Sequence, residues 1–173
     1  MTALANKIEH IDYEHNRQMP VQKPGYSKQT YGTPVAFIEA VEKRFGAITF
    51  DLAAGKENAK CKDYWTETDN SLTQPWAEKH PKGNLWINPP FGSIGVWAKK
   101  CAEESLKRQG LILFLTPASI GTNWFADHVH QKSMVLGISP RLTFEGETTP
   151  FPKDLMLSIY GMGFKGFDVW KWK

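Results

Sequence analysis

Long apolar runs are missing from this chain. No stretch approaches the roughly 18 apolar residues of a membrane span, and the opening Met-Thr-Ala-Leu-Ala-Asn-Lys has no apolar signal core. Both absences point to a cytoplasmic protein with no membrane partner. Cysteine is scarce: only Cys61 and Cys101 occur, in no CxxC or Cys/His array. Free, partly buried thiols are therefore expected, not a disulfide, a metal site or a catalytic thiol. His128 and His130 stand two apart on a predicted helix and so point in different directions, which disfavours a metal pair. Internal repeats and low-complexity tracts are lacking. Charge of one sign is not in excess: the formal net charge is +3 with a pI near 8.8, which permits nucleic-acid binding without demanding it.

What is present fits one domain with a proper core: 173 residues of ordinary apolar content, with seven tryptophans, a high count that suits core and stacking surfaces. Residues 1–29 are polar and mixed in charge and read as an irregular arm; the domain proper is expected over 30–173. Thr33-Pro34 opens a predicted helix with Val35, Ile38, Val41 and Phe45 as its apolar stripe and Gly46 at its end. Ile48–Leu52 reads as a strand running into Ala53-Ala54-Gly55, and Lys62–Trp65 as a possible short strand. Ser93 is placed to cap a helix from Ile94 to about Arg108, with Ile94, Trp97, Ala98 and Cys101 on its inner side. Leu111–Leu115 is continuously apolar, as befits a strand covered on both faces. A helix over Asn123 to about Lys132 and a strand at Met134–Ser139 follow. Asp154–Tyr160 and Phe167–Trp172 then read as an antiparallel pair. The sum is an α/β domain with a mainly parallel sheet built on βαβ units.

One stretch stands apart. The apolar run Leu85-Trp86-Ile87 stops at Asn88-Pro89-Pro90-Phe91. Neither proline has an N–H, and each holds the residue before it in extended geometry. A buried strand would therefore end in a rigid corner that displays an amide side chain, carbonyls and an aromatic face. Such a set can hold a planar, amino-bearing ring. Asn-Pro also simply makes turns, so context decides. In an open α/β sheet, ligands bind outside the carboxyl ends of the strands. Three candidate ends are Asp51 with Ala53-Ala54-Gly55, then Asn88–Phe91, then Thr116-Pro117-Ala118-Ser119.

The ordered series of motifs resembles the phage-type DNA N6-adenine methyltransferases, the Dam group. It comprises Thr33-Pro34, Phe50-Asp51-Leu52-Ala53-Ala54, Glu57-Asn58-Ala59-Lys60-Cys61, Tyr64-Trp65, Asp69-Asn70-Ser71-Leu72, Trp76 and Asn88-Pro89-Pro90-Phe91. Ile94, Trp97, Pro117-Ala118, Trp124-Phe125 and Arg141-Leu142-Thr143-Phe144 complete it, over about residues 31 to 160. The resemblance implies a Rossmann-like, S-adenosylmethionine-dependent methyltransferase fold with a trimmed sheet. It implies methyl transfer to adenine N6 in double-stranded DNA, with the base flipped out of the helix. The acceptor side would be Asn88, Pro89, Pro90 and Phe91. Asn88 and the Pro89 carbonyl would accept the N6 hydrogens, and Phe91 would stack on the base. The cofactor side would be Thr33, Pro34, Asp51, Ala53, Ala54, Asn58 and Asp69. There is no Gly-x-Gly loop after the first strand, which departs from broader methyltransferase habit.

Plainer roles stand beside these. Asp51 can cap a turn, Asp69 a helix, and Thr33 the first helix. Trp97 and Trp124 suit a core. Lys99, Lys100, Lys107 and Arg108 suit a solvated helix face. Lys79, His80, Lys82 and Arg141 lie in loops placed near the presumed cleft, where 77–84 and 140–153 are candidates for sequence specificity. Methylation of another amine (cytosine N4, an RNA base, a glutamine side chain) and a non-catalytic nucleic-acid-binding module remain alternatives.

Overall fold

Among the described residues, extended segments rich in Ile, Phe, Trp and Leu form six strands: β1 (Ile48–Asp51), β2 (Asn84–Ile87), β3 (Ile112–Pro117), β4 (Met134–Ser139), β5 (Leu155–Tyr160) and β6 (Gly166–Lys171). Four helices accompany them: α1 (Val35–Phe45), α2 (Trp76–Lys79), α3 (Ile94–Ser105) and α4 (Asn123–His128). The computed structural model describes residues 31–173; the arm expected over 1–29 lies outside the described residues.

The strands make one sheet in the order β1-β2-β3-β5-β4-β6. β1, β2 and β3 run parallel, β4 and β6 pair parallel with each other, and β5 runs antiparallel to both β3 and β4. This is a mainly parallel, Rossmann-like sheet with an antiparallel element from the C-terminal part of the chain. One neighbour differs from expectation: β6 lies beside β4, and β4 separates it from β5. The reason is burial. Every residue of β5 is buried, as an interior strand requires, whereas β6 is mostly exposed and fits an edge.

Alternation along the interior strands splits the core. Trp86, Leu113, Leu115, Leu157 and Ile159 pack with α1 residues Phe37, Ile38 and Val41. Leu85, Ile87, Ile112, Phe114 and Met156 pack on the other side with Ile94, Trp97, Ala98 and Cys101 of α3. The predicted α3 stripe is thus the buried one. In α1 the stripe turns slightly: Phe37 is buried and Val35, at the helix start, is 61% exposed. The helix expected over 123–132 is shorter, ending at His128, and Gln131 beyond it adopts a left-handed backbone at φ 54° that a helix could not continue through.

The two edges of the sheet differ in what they carry. The carboxyl ends of the parallel strands present Asp51, Asn88, Ala118 and Pro140. The opposite edge is closed by backbone packing. Gly110 there has φ 94°, and a Cβ at this position would sit 2.3 Å from the Gly83 carbonyl oxygen, so only glycine fits.

Candidate acceptor and donor cleft

Asn88 follows β2 directly and, two residues beyond Trp86, falls on the α1 side of the sheet. Its Nδ2 donates to the Tyr31 carbonyl at 2.7 Å and to Thr33 Oγ1 at 3.1 Å. A carbonyl cannot donate, so the Tyr31 contact fixes which end of the carboxamide is nitrogen. Asn88 Oδ1 is left buried with no partner among the described residues. An orphaned buried acceptor costs about 1–3 kcal/mol, a cost expected where a ligand is to be bound.

A cavity of about 740 Å³ opens beside it, lined by Thr33, Asp51, Ala53, Ala54, Asn58 and Asn88 among others. Asp51 ends β1 and is 3% exposed. Its Oδ1 accepts from the Ala53 N–H at 3.2 Å and its Oδ2 from the Lys60 N–H at 3.1 Å. Burial pushes the carboxyl up to about 6, partly offset by those two backbone bonds and by the Lys60 charge. Each oxygen keeps a second lone pair for a ligand. The expected strand at 62–65 is reduced to a single parallel bridge between Asp51 and Tyr64, which holds the turn against β1. Asn58 Oδ1 accepts the Gly55 N–H at 2.6 Å and shapes the same turn. Ser71 also lines the cavity, and its Oγ is a second buried polar atom without a partner among the described residues.

Several expected site residues do other things here. Asp69 is not among the lining residues. Its carboxylate accepts from the Thr66 N–H at 2.7 Å and Oγ1 at 2.8 Å in a capping box, which lowers its pKa. Its neighbours Thr66, Thr68, Asn70 and Ser71 face the cavity instead. Pro34 is the N-cap of α1, and the helix has no side-chain cap bond, so Thr33 is not the cap. Phe91 is half-buried. Its ring stacks on Tyr31 at 5.8 Å and meets Phe151 at 5.8 Å and Phe144 at 6.4 Å. Tyr31, not Phe91, lines the cavity. Its only sequence signal is its place two residues before Thr33-Pro34.

The basic residues sort differently from expectation. The 77–84 segment enters β2 from its amino end, the edge away from the cleft, because strand direction decides which loops meet there. His80 lies on Phe50, ring centroids 3.9 Å apart. Lys100 and Lys107 pair with Glu104. Arg108 is not a solvated cation: it binds the carbonyls of His80, Lys82, Gly83 and Leu111. Arg141 follows β4 and is not among the residues lining the cavity; it is paired with Asp154 at 2.9 Å. Trp97 is core and also touches the cavity. No cluster of potential metal ligands occurs, and no helix is long and apolar enough to cross a membrane, among the described residues.

A mainly parallel sheet with a buried acidic residue at one carboxyl end and an Asn-Pro-Pro-Phe corner at the next is the build of a Rossmann-like methyltransferase. The chain belongs to the DNA N-6-adenine-methyltransferase (Dam) family, whose model matches residues 21–154. It is 29% identical over 121 residues to the DNA N-6-adenine-methyltransferase of Escherichia phage T1, across 69% of this chain and 49% of the phage protein. It is 26% identical over 125 residues to the DNA N-6-adenine-methyltransferase of Haemophilus phage HP1, across 70% of this chain and 69% of that protein. The match thus spans about half the length of the T1 relative.

Proposed function

We propose that this protein transfers a methyl group from S-adenosylmethionine to the N6 amino group of adenine in double-stranded DNA. The observation that carries the reading is Asn88: its amide nitrogen is fully engaged, and its oxygen is buried, unpaired and beside a cavity shared with Asp51. The cavity is of a size that holds a cofactor, in the range of about 300–1,000 Å³. Its donor set also fits one: a carboxylate for an ammonium, and amide and hydroxyl groups for polar edges. S-adenosylmethionine, when bound, supplies a sulfonium methyl already electrophilic toward an amine.

The chain's own residues then act on the amine. The N6 lone pair of adenine is delocalised into the ring and is a poor nucleophile. Asn88 Oδ1 and the Pro89 carbonyl accept hydrogen bonds from its two N–H groups, which draws electron density onto nitrogen and favours a pyramidal amine. As the N–C bond forms the S–C bond breaks, a neutral thioether leaves, and one N6 proton is released to water. Asp51 holds the ammonium end of the donor. Ala53 and Ala54 let backbone approach it closely. Thr68, Asn70 and Ser71 face the far part of the cavity, where Asp69 acts through the loop it caps. The Tyr31–Phe91 pair offers the stacking surface for a base rotated out of the duplex. Alignment of amine and methyl group accounts for much of the acceleration.

Incubation with labelled S-adenosylmethionine and adenine-containing duplexes tests this. The wild type transfers label, and Asn88→Ala loses on the order of a hundredfold or more in turnover. Absence of transfer to any duplex, with Asn88→Ala indistinguishable from wild type, overturns it. Mass spectrometry of the product base separates adenine N6 from cytosine N4.

A further inference from the structure

We propose that Thr33 is a positioning residue for methyl transfer: its hydroxyl is the second anchor that aims the Asn88 oxygen at the amine. The proposal deepens the reading above and rests on it. A carboxamide has two N–H groups, and here each has its own acceptor. The Tyr31 carbonyl takes one at 2.7 Å and Thr33 Oγ1 takes the other at 3.1 Å. The first contact sets the sense of the amide. It does not set the plane, because the Asn χ2 torsion is broad. With a single anchor the group swings about the Nδ2···O axis and Oδ1 sweeps an arc. With two anchors the plane is defined, and Oδ1 is held where it is found, buried and unpaired.

Thr33 is suited to this. It is 1% exposed, so water does not compete for its oxygen. Its β-branched side chain restricts χ1, which makes it a stiff anchor. It is not needed as a cap, since Pro34 occupies that position with no side-chain cap bond. The hydroxyl therefore has a partner that helix initiation does not explain. Thr33 also lines the cavity, so the competing role is a direct contact to the cofactor. The two roles differ in what they change: aim acts on turnover, and contact acts on cofactor affinity.

The test compares full-length wild type, Thr33→Val and Thr33→Ser. Thr33→Val keeps the shape and removes the acceptor; Thr33→Ser restores it. Three readouts are taken: turnover at saturating S-adenosylmethionine and DNA, calorimetric affinity for S-adenosylmethionine, and the nitrogen-15 side-chain signals of Asn88. Turnover in Thr33→Val is expected to fall about tenfold to a hundredfold, the scale of a small misplacement of a catalytic group. Affinity stays within twofold, the Asn88 amide proton released from Thr33 shifts and exchanges faster while the one on the Tyr31 carbonyl keeps its bond, and Thr33→Ser recovers most of the loss. Unchanged turnover and unchanged Asn88 signals overturn the proposal, whether or not affinity falls. If wild type transfers no methyl group to DNA, the functional reading fails by itself. The Asn88 signals still decide the contact: identical signals in wild type and Thr33→Val overturn it. Should Thr33→Val not fold, Thr33→Ala carries the same comparison.

Discussion

Lys60 joins the cleft to a loop 85 residues away in sequence: its ammonium lies 2.8 Å from the Glu145 carboxylate. Its own backbone N–H binds Asp51. The Lys60 side chain is 8% exposed and that of Glu145 38%, so the pair is partly shielded from solvent. The Glu145 N–H also donates to the Gly32 carbonyl at 2.8 Å. One glutamate thus ties the 140–153 loop to the turn between Asp51 and Lys60 and to the segment before α1.

Breaking that tie loosens the loop more than the fold. Glu145→Gln is expected to cost about 1 kcal/mol or less of stability, as for other partly exposed pairs. Amide exchange across 141–153 should rise, and affinity for S-adenosylmethionine should drop a few-fold. Unchanged exchange in the loop shows that the aromatic contacts of Phe144 and Phe151 hold it without the ion pair.

Asp51 predicts a pH dependence. Its carboxyl titrates near 6 in the folded chain because it is buried, against about 4 when unfolded. A group that binds its proton more tightly when folded contributes stability below the unfolded value and loses that contribution as pH rises through the folded value. Melting temperature measured without cofactor should therefore decline from pH 4 to 6 less steeply in Asp51→Asn than in wild type. Affinity for a cationic donor should run the other way, weakening in wild type below pH 6 by up to about tenfold per unit. In Asp51→Asn the affinity should be low and flat. A wild-type affinity equally flat from pH 5 to 7 removes Asp51 from the ammonium contact.

Thiol reactivity gives a separate check on that environment. Burial, and next the nearby Asp51 charge, push the Cys61 thiol up to about 11, and Cys101 is fully buried. Neither should react appreciably with a disulfide reagent at pH 8 in the folded protein, and both should react once it is denatured. Fast labelling of Cys61 in the native state contradicts a closed turn between Asp51 and Tyr64.

The strands and the corner that follows β2 are legible for local reasons. Apolar runs bounded by glycine and proline mark β2, β3 and β4, and Pro89-Pro90 announces that Asn88 ends a strand. The α3 stripe follows from its helical spacing. Everything that depends on strand direction or on contacts far along the chain is not. The side of the sheet taken by the 77–84 loop leaves no mark in the sequence, since only the parallel pairing of β1 with β2 puts its entry at the amino ends, away from the cleft. The link from Asn88 to Tyr31 spans 57 residues and leaves no periodic trace. Arg108 looks like the solvated end of a helix until the carbonyls of the 80–83 loop are brought to it. Asp69 carries a capping signal and a family motif in the same four residues, and local chemistry takes its carboxylate.

Arg108 supplies the last prediction. Its guanidinium donates to the His80 carbonyl at 3.0 Å, to Leu111 at 3.1 Å, and to Lys82 and Gly83 at 3.1 and 2.5 Å. These carbonyls belong to the loops entering β2 and β3 at the edge away from the cleft, so one side chain binds the two strand entries together. Removing it leaves partly buried carbonyls without a charged donor, at a cost of about 2–3 kcal/mol. Arg108→Ala should then melt roughly 5–10 °C lower. Arg108→Lys should recover little, because a point-like ammonium cannot span four carbonyls. Turnover and cofactor affinity well below the melting temperature should stay at the wild-type level. If Arg108→Ala instead melts like wild type and loses DNA affinity with a shallower salt dependence, the guanidinium serves a phosphate and not the fold.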